Sequence, residues 1–327
     1  MKTDITRGAI LNDHSRRVTL AEAEQLGHQV IDVRAANEFV QGTIPGAVNI
    51  PLFDDDERSV IGTIYRHGGH ENAVEKGFEY VDQKLSELLA AFVPFTGKPL
   101  IIFCARGGMR SLSVVNLLVQ TGYQAFQLEG GYKRYRNEIL HRLENFKPRL
   151  IVIHGLTGTG KTRILQELDD SIDLEDLAKH RSSLFGAIDR EPNNQKMFES
   201  GLVQVIQSLG NEPYFIEGES RKIGRVFMPK PLALAMKEGV LVHVHCSIET
   251  RIQRIIDDYP VDDEKTLQEI EVILHSLRQK VGSTLVDKMC ELLRAGNLRE
   301  LVRILLLDYY DKRYSKNQIQ FVNLIID

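Results

Sequence analysis

The sequence predicts an α/β protein made of two parallel-sheet domains, and three observations carry that expectation. Short apolar runs alternate with helical patterns along the chain, the order that lays parallel strands side by side under covering helices. In the second half a complete G-x-x-x-x-G-K-[ST] motif, Gly155 to Thr162, sits between an apolar run and a helical pattern, as a phosphate-binding loop requires. In the first half another glycine-rich loop, "CARGGMRS" from Cys104 to Ser111, follows the apolar run Leu100–Phe103. The boundary is expected beside Pro148, giving domains 1–147 and 148–327.

In chain order, "QVIDV" (Gln29–Val33), "LIIFC" (Leu100–Cys104) and "AFQLEGG" (Ala125–Gly131) read as strands of the first sheet. After the cysteine loop, Leu112, Val115 and Leu118 or Val119 share one helical face, and Gly122 suits the position just past that helix. "HRLENFKPRL" reads as a short polar helix closing the half. Leu150–His154, "YFIEG" (Tyr214–Gly218) and "VLVHVHC" (Val240–Cys246) read as buried parallel strands of the second sheet. From Asp262 to about Tyr310 the pattern is helical, followed by a short apolar tail. There are no repeats and no low-complexity segment.

Composition narrows the function classes. A chain of 327 residues, 43% hydrophobic and 26% charged, is large enough for two buried cores. Net charge is −4, and the two halves carry 17 Lys+Arg against 18 Asp+Glu and 24 against 27. Neither half is basic, so a nucleic-acid partner must be held by a local patch. Three widely spaced cysteines, Cys104, Cys246 and Cys290, form neither a disulfide framework nor a zinc spacing, and they place the protein in a reducing cytoplasm. The opening "MKTDITRGAI" has no apolar signal region, and no run approaches a membrane span.

Chemistry concentrates in the two loops. A thiol is a nucleophile only as its thiolate, and neighbouring cations, backbone N–H groups and a helix start lower its pKa. Cys104 is followed by Arg106 and Arg110, while Gly107 and Gly108 permit a tight loop with inward N–H groups. These three are the candidate catalytic residues; Cys246 and Cys290 read as buried structural cysteines. In the second loop Gly155, Thr157, Gly158, Thr159 and Gly160 let the backbone curl round phosphate, Lys161 reaches the distal phosphates, and Thr162 is placed to ligate Mg²⁺. Glu217 and Glu219 suit an acidic metal partner or base, and equally a solvated strand end. Arg181, Arg221 and Arg225 are candidate phosphate or nucleic-acid contacts, with Lys222 and Lys230 nearby. The stretch Lys133–Arg149 carries Lys133, Arg134, Arg136, Arg142, Lys147 and Arg149 against Glu138 and Glu144, a basic strip for tRNA or a solvated helix.

Several of these segments resemble known families. "VIDVRAANEFVQGTIPGAVNIPL" (Val30–Leu52) with "LEGGYKRY" is similar to the rhodanese signature, Thr43 standing where that family usually has His. The resemblance implies that Asp32 and Arg34 tie the loops together and that Cys104 is the nucleophile. The C-x5-R-S spacing also fits a cysteine phosphatase, but Phe103 replaces the usual preceding histidine and a phosphatase leaves the phosphate loop unexplained. Both loops together, with "GTIYRHGG" (Gly62–Gly69), "EGGYKRYR", "HRSSLFG" (His180–Gly186, Ser183 replacing an expected Gly) and "PNNQKMFES" (Pro192–Ser200), resemble the tRNA 2-selenouridine synthase family over essentially the whole chain. The resemblance implies a transferase that replaces the sulfur of wobble 2-thiouridine with selenium from selenophosphate, through an S-geranyl-2-thiouridine made from geranyl diphosphate. It implies tRNA as partner, no tightly bound cofactor, no resident metal beyond the Mg²⁺ at Thr162, and no membrane. The residues alone stop at thiolate chemistry coupled to phosphate binding. A rhodanese-type sulfurtransferase fused to a P-loop kinase or ATPase also fits them, as does a regulatory module without turnover.

Overall fold

The computed structural model describes residues 16–25, 28–181, 183–188 and 190–314. Of the apolar tail expected after about Tyr310, the first residues continue as the helical turn Asp311–Tyr314, and the rest lies outside the described residues. The chain divides into two units, 1–141 and 142–327, and the division falls inside one helix, Gly131–Asn145.

The first unit is a five-stranded parallel sheet. Its strands are β1 (Arg16–Val18), β2 (Gln29–Asp32), β3 (Val48–Asn49), β4 (Leu100–Phe103) and β5 (Ala125–Leu128), in the order β1-β5-β4-β2-β3. β2 pairs with β4 so that Asp32 lies opposite Phe103. Asp32 and Cys104 therefore reach the carboxyl ends of central strands, where open α/β sheets place their sites. All four β4 residues are buried, as their unbroken apolar run demands. The helix Met109–Gln120 packs Val114, Val115, Leu117 and Leu118 into the core. Gly122, just beyond it, takes φ 89°. β5 ends at Leu128, three residues before the expected Gly131, because Gly130 and Gly131 take φ 70° and 55° and turn the chain directly into Gly131–Asn145. The polar helix expected from His141 is the last turn of that helix.

A 38-residue helical segment, Asp55–Phe92, is inserted between β3 and β4. Asp54 caps it by accepting the Glu57 N–H at 2.8 Å, and it kinks at Gly69 and Lys84, where φ/ψ leave the helical region.

The second unit has a four-stranded parallel sheet of β6 (Leu150–His154), β7 (Ser171–Ile172), β8 (Tyr214–Glu217) and β11 (Val240–His243), ordered β11-β6-β8-β7. A short antiparallel hairpin joins β9 (Lys222–Ile223) to β10 (Val226–Phe227). β6 is central, so the phosphate loop leaves from the middle of the sheet. β11 stops at His243, short of Cys246, because Ser247 caps the next helix by accepting the Thr250 N–H at 3.1 Å. The expected helical stretch is a set of helices broken at Gly282 and Gly296, with φ 90° and 69°, packed through Leu274, Val286, Met289 and Leu293. Among the described residues no helix is long and apolar enough to cross a membrane.

Candidate active sites: a thiolate loop and a phosphate loop

Cys104 ends β4 and is buried, 3% exposed. Its loop is folded against the start of the helix Gly131–Asn145. The N–H of Tyr132 donates to the Cys104 carbonyl and that of Lys133 to the Ala105 carbonyl, both at 2.9 Å. A Cβ on Gly131 would lie 2.3 Å from the Cys104 oxygen, so the "EGG" of the first half is a condition of closing the loop. Gln127, buried on β5, donates to the carbonyls of Gly107 and Gly108 at 3.0 and 3.1 Å and to Ser111 Oγ at 2.9 Å. Ser111 Oγ in turn lies 3.2 Å from Cys104 Sγ.

Burial works to raise the Cys104 pKa, but stabilisation of the thiolate outweighs it. The Ser111 hydroxyl, the Arg110 charge and the N–H groups of Arg106 and Ser111 hold the thiol below its ordinary value. The two arginines thus act differently. Arg110 is ion-paired to Glu38 at 2.6 Å and acts through its charge, whereas the Arg106 side chain is exposed and its contribution is its backbone N–H. Ser111→Ala and Arg110→Ala should each move the pH profile of Cys104 alkylation upward. Arg106→Ala should leave it in place. An unmoved Ser111→Ala profile would remove the hydroxyl from the account.

Asp32 and Arg34 brace the loops. Arg34 Nη2 donates to Asp32 Oδ2 at 2.6 Å and to the Gly42 carbonyl at 2.7 Å. Thr43 Oγ1 donates to the same Asp32 oxygen at 2.8 Å, and the guanidinium lies 4.0 Å above the Tyr132 ring. All three polar residues are buried. Asp32→Ala would leave Arg34 buried and unpaired, a destabilisation of about 3–5 kcal/mol. Chemical denaturation of the two proteins reads this directly, and a loss under about 1 kcal/mol would contradict it.

The phosphate loop has its expected glycine geometry, with Gly158 and Gly160 at φ 82° and 87°. A Cβ on Gly155 would lie 2.7 Å from the Val244 carbonyl. Lys161 folds back to donate to the Gly155 carbonyl at 3.1 Å. Two arginines that the sequence did not single out clamp the loop from the helix Ile248–Asp258. Arg251 donates to the Thr157 carbonyl at 2.8 Å while its Nη1 and Nη2 pair with Asp311 at 2.9 and 2.6 Å; Arg254 bonds the Thr159 carbonyl.

Glu217 is not a solvated strand end: it is fully buried. Oε1 accepts the Glu175 N–H at 2.8 Å, and among the described residues Oε2 has no hydrogen-bond partner. Burial, with the charges of Glu175 and Glu219, raises its pKa well above the carboxylate range. Carboxylate oxygens of Glu175, Glu217 and Glu219 lie within 4.8 Å of one another, and Thr162 Oγ1 is 3.4 Å from Glu175. This all-oxygen set fits Mg²⁺, which favours carboxylate and hydroxyl ligands beside phosphate. Glu175 had no motif to announce it.

The remaining candidate cations are spread out. Arg181 stacks 4.3 Å over Tyr259. Arg221 precedes the β9–β10 hairpin and Arg225 lies in its turn, and both are exposed. Of the basic strip, Lys133 is exposed and Arg134 is ion-paired to Glu129. Arg136 is half-buried by the aromatic face of its own helix, and burial lowers its pKa, so it is no part of a continuous solvated stripe. Cys290 is buried as expected; Cys246 is only half-buried, with Arg254 Nη1 3.7 Å from its sulfur.

Comparison with known proteins bears on both loops. Residues 17–138 match the rhodanese-like domain model, and residues 148–324 match a model described as the tRNA 2-selenouridine synthase AAA domain. A protein of Nitrosomonas europaea named tRNA 2-selenouridine synthase is 36% identical over 242 residues, 70% of this chain and 63% of its own, so the match spans less than two thirds of that relative. Proteins of the same name from Sulfurovum sp. and Hahella chejuensis are 32% and 31% identical, over 88% of this chain and 87% and 85% of theirs. A solved N-terminal domain from Clostridium difficile 630 covers 38% of this chain and 98% of its own at 45% identity and a TM-score of 0.35.

Proposed function

The chain belongs to the tRNA 2-selenouridine synthase family, and from that membership we propose that it is the enzyme that replaces the sulfur of wobble 2-thiouridine in tRNA with selenium, in the cytoplasm. The route has two displacements. In the first, the thiocarbonyl sulfur attacks C1 of geranyl diphosphate. The carbon–oxygen bond breaks, its electron pair leaves with inorganic diphosphate, and the base loses its N3 proton to solvent. Lys161 and the loop N–H groups hold the diphosphate where this charge gathers. Thr162, Glu175, Glu217 and Glu219 would hold Mg²⁺, which supplies further neutralisation of phosphate charge.

Alkylation turns a poor leaving group into a good one. In the second displacement the Cys104 thiolate adds at C2 and geranylthiolate departs with the C2–S pair. Hydrogen selenide, released as water cleaves the P–Se bond of selenophosphate to phosphate, then forms the C2–Se bond and returns Cys104 as thiolate. The exposed Lys133, Arg221 and Arg225 are offered to tRNA phosphates.

The observation that supports this reading most is the pairing, in one chain, of a thiol held below its usual pKa beside Ser111 and Arg110 with a phosphate loop backed by a cluster of three carboxylates. Nucleoside mass spectrometry of bulk tRNA tests it. Cells lacking the protein should lose 2-selenouridine and retain 2-thiouridine. Unchanged 2-selenouridine would overturn the reading.

A further inference from the structure

The segment "GTIYRHGG" has no part in either loop. It forms the stretch of the inserted helix that ends at the Gly69 kink, where φ is 84° and ψ 179°. Beyond the kink the helix returns toward the sheet, and Gly77 packs where a Cβ would meet the Phe53 ring at 3.2 Å. Between this bent arm and the helix Met109–Gln120 lies an apolar cavity of about 160 Å³. Phe53, Val74, Phe78, Val81 and Leu117 form its walls, with Tyr65 and His70 among its lining residues. Their rings meet edge to face, 6.1 Å apart.

Met109, Arg110 and Ser113 also line it. They belong to the first turns of the helix that starts at the Cys104 loop, and Arg110 is the residue whose charge favours the Cys104 thiolate. One arginine therefore serves both the thiolate loop and the mouth of an apolar hole. Concave, mostly apolar sites with a few polar groups at the rim take ligands that carry both kinds of surface. Nothing in a thiolate loop alone calls for such a space. A substrate with a polar head and a hydrocarbon tail does.

We propose that this cavity holds the hydrocarbon chain of the S-alkylated nucleoside while its heterocycle faces the Cys104 loop. The inference rests on the reading that an S-geranyl intermediate is displaced at that loop. It adds a role for Arg110. As the C2–S bond breaks, the electron pair moves onto the alkyl-bearing sulfur, and that sulfur lies between the cavity and the loop, next to the guanidinium. Arg110 stabilises the departing geranylthiolate as well as the attacking thiolate.

The test uses the full chain, selenophosphate and two anticodon stem-loop RNAs carrying S-geranyl- or S-methyl-2-thiouridine. The two thiolate leaving groups are chemically alike and differ in tail. Wild-type protein should selenate the geranyl substrate with a kcat/KM on the order of 100-fold higher. Val74→Trp, which fills the cavity, should remove most of that advantage and leave S-methyl turnover and thermal stability unchanged; Val81→Phe is the gentler fill should the tryptophan impair folding. A wild-type ratio near one overturns the cavity assignment and leaves the two-step route standing. Turnover of neither substrate overturns the route itself, and the inference with it. An advantage that survives both filled variants places the tail elsewhere and overturns the assignment as well.

Discussion

Replacing Cys104 with serine is expected to lower selenium incorporation on the order of 10³-fold or more, the scale of losing a catalytic nucleophile, while tRNA binding and S-geranylation persist. The substitution is nearly isosteric, so the loop keeps its backbone bonds to Tyr132, Lys133 and Gln127. What it removes is ionisation. Burial opposes a charge at this site, and the Ser111 hydroxyl, Arg110 and two N–H groups overcome it for a thiol. The same groups cannot do so for a hydroxyl, whose pKa lies far higher. Tertiary packing is spared, so the variant should melt like the wild type. Mass spectrometry of tRNA nucleosides should find S-geranyl-2-thiouridine accumulating in place of 2-selenouridine. Wild-type selenation by the serine variant would remove Cys104 from the chemistry.

Lys161→Ala is expected to stop the sequence one step earlier. A departing diphosphate gathers negative charge as its carbon–oxygen bond breaks, and loss of one preorganised donor to such charge costs roughly 10²–10³-fold in rate. Lys161 donates to the Gly155 carbonyl, a neutral acceptor weaker than a charged phosphate oxygen. The loop itself should survive the substitution, because Arg251 and Arg254 fasten its Thr157 and Thr159 carbonyls from outside. The variant should accumulate unmodified 2-thiouridine and no geranylated nucleoside, the reverse of Cys104→Ser. Geranylated tRNA in the Lys161 variant would move the phosphate loop to the selenium step, and 2-selenouridine at wild-type levels would remove it from the reaction.

The two loops were legible because each is a local device. A glycine-rich turn between a buried strand and a helix has its function written in consecutive residues, and so Gly155–Thr162 and Cys104–Ser111 could be found without a fold. Partners supplied from elsewhere in the chain were not legible. Gln127 orders the cysteine loop from a neighbouring strand, and Glu38 holds Arg110 from 72 residues away. Glu175 is an acid in a stretch of acids until α/β packing brings it within hydrogen-bond reach of Glu217. The basic strip was legible only as composition. Charge along a sequence does not say which face of a helix is wet, and Arg136 lies on the aromatic side of its helix.

By itself, then, the sequence determined the α/β class, the two loops and the candidate residues in each, because strand periodicity and turn geometry are fixed by near neighbours. Only the tertiary structure decided how those residues behave. It set the Cys104 pKa through Ser111, Arg110 and burial together. It buried Glu217 inside a cluster of acids and so raised its pKa, where the sequence offered only a strand-end carboxylate. It also folded a kinked helix back over an apolar hole beside the thiolate loop. Each of these depends on desolvation and on contacts between distant segments, and such quantities exist only once the chain has packed.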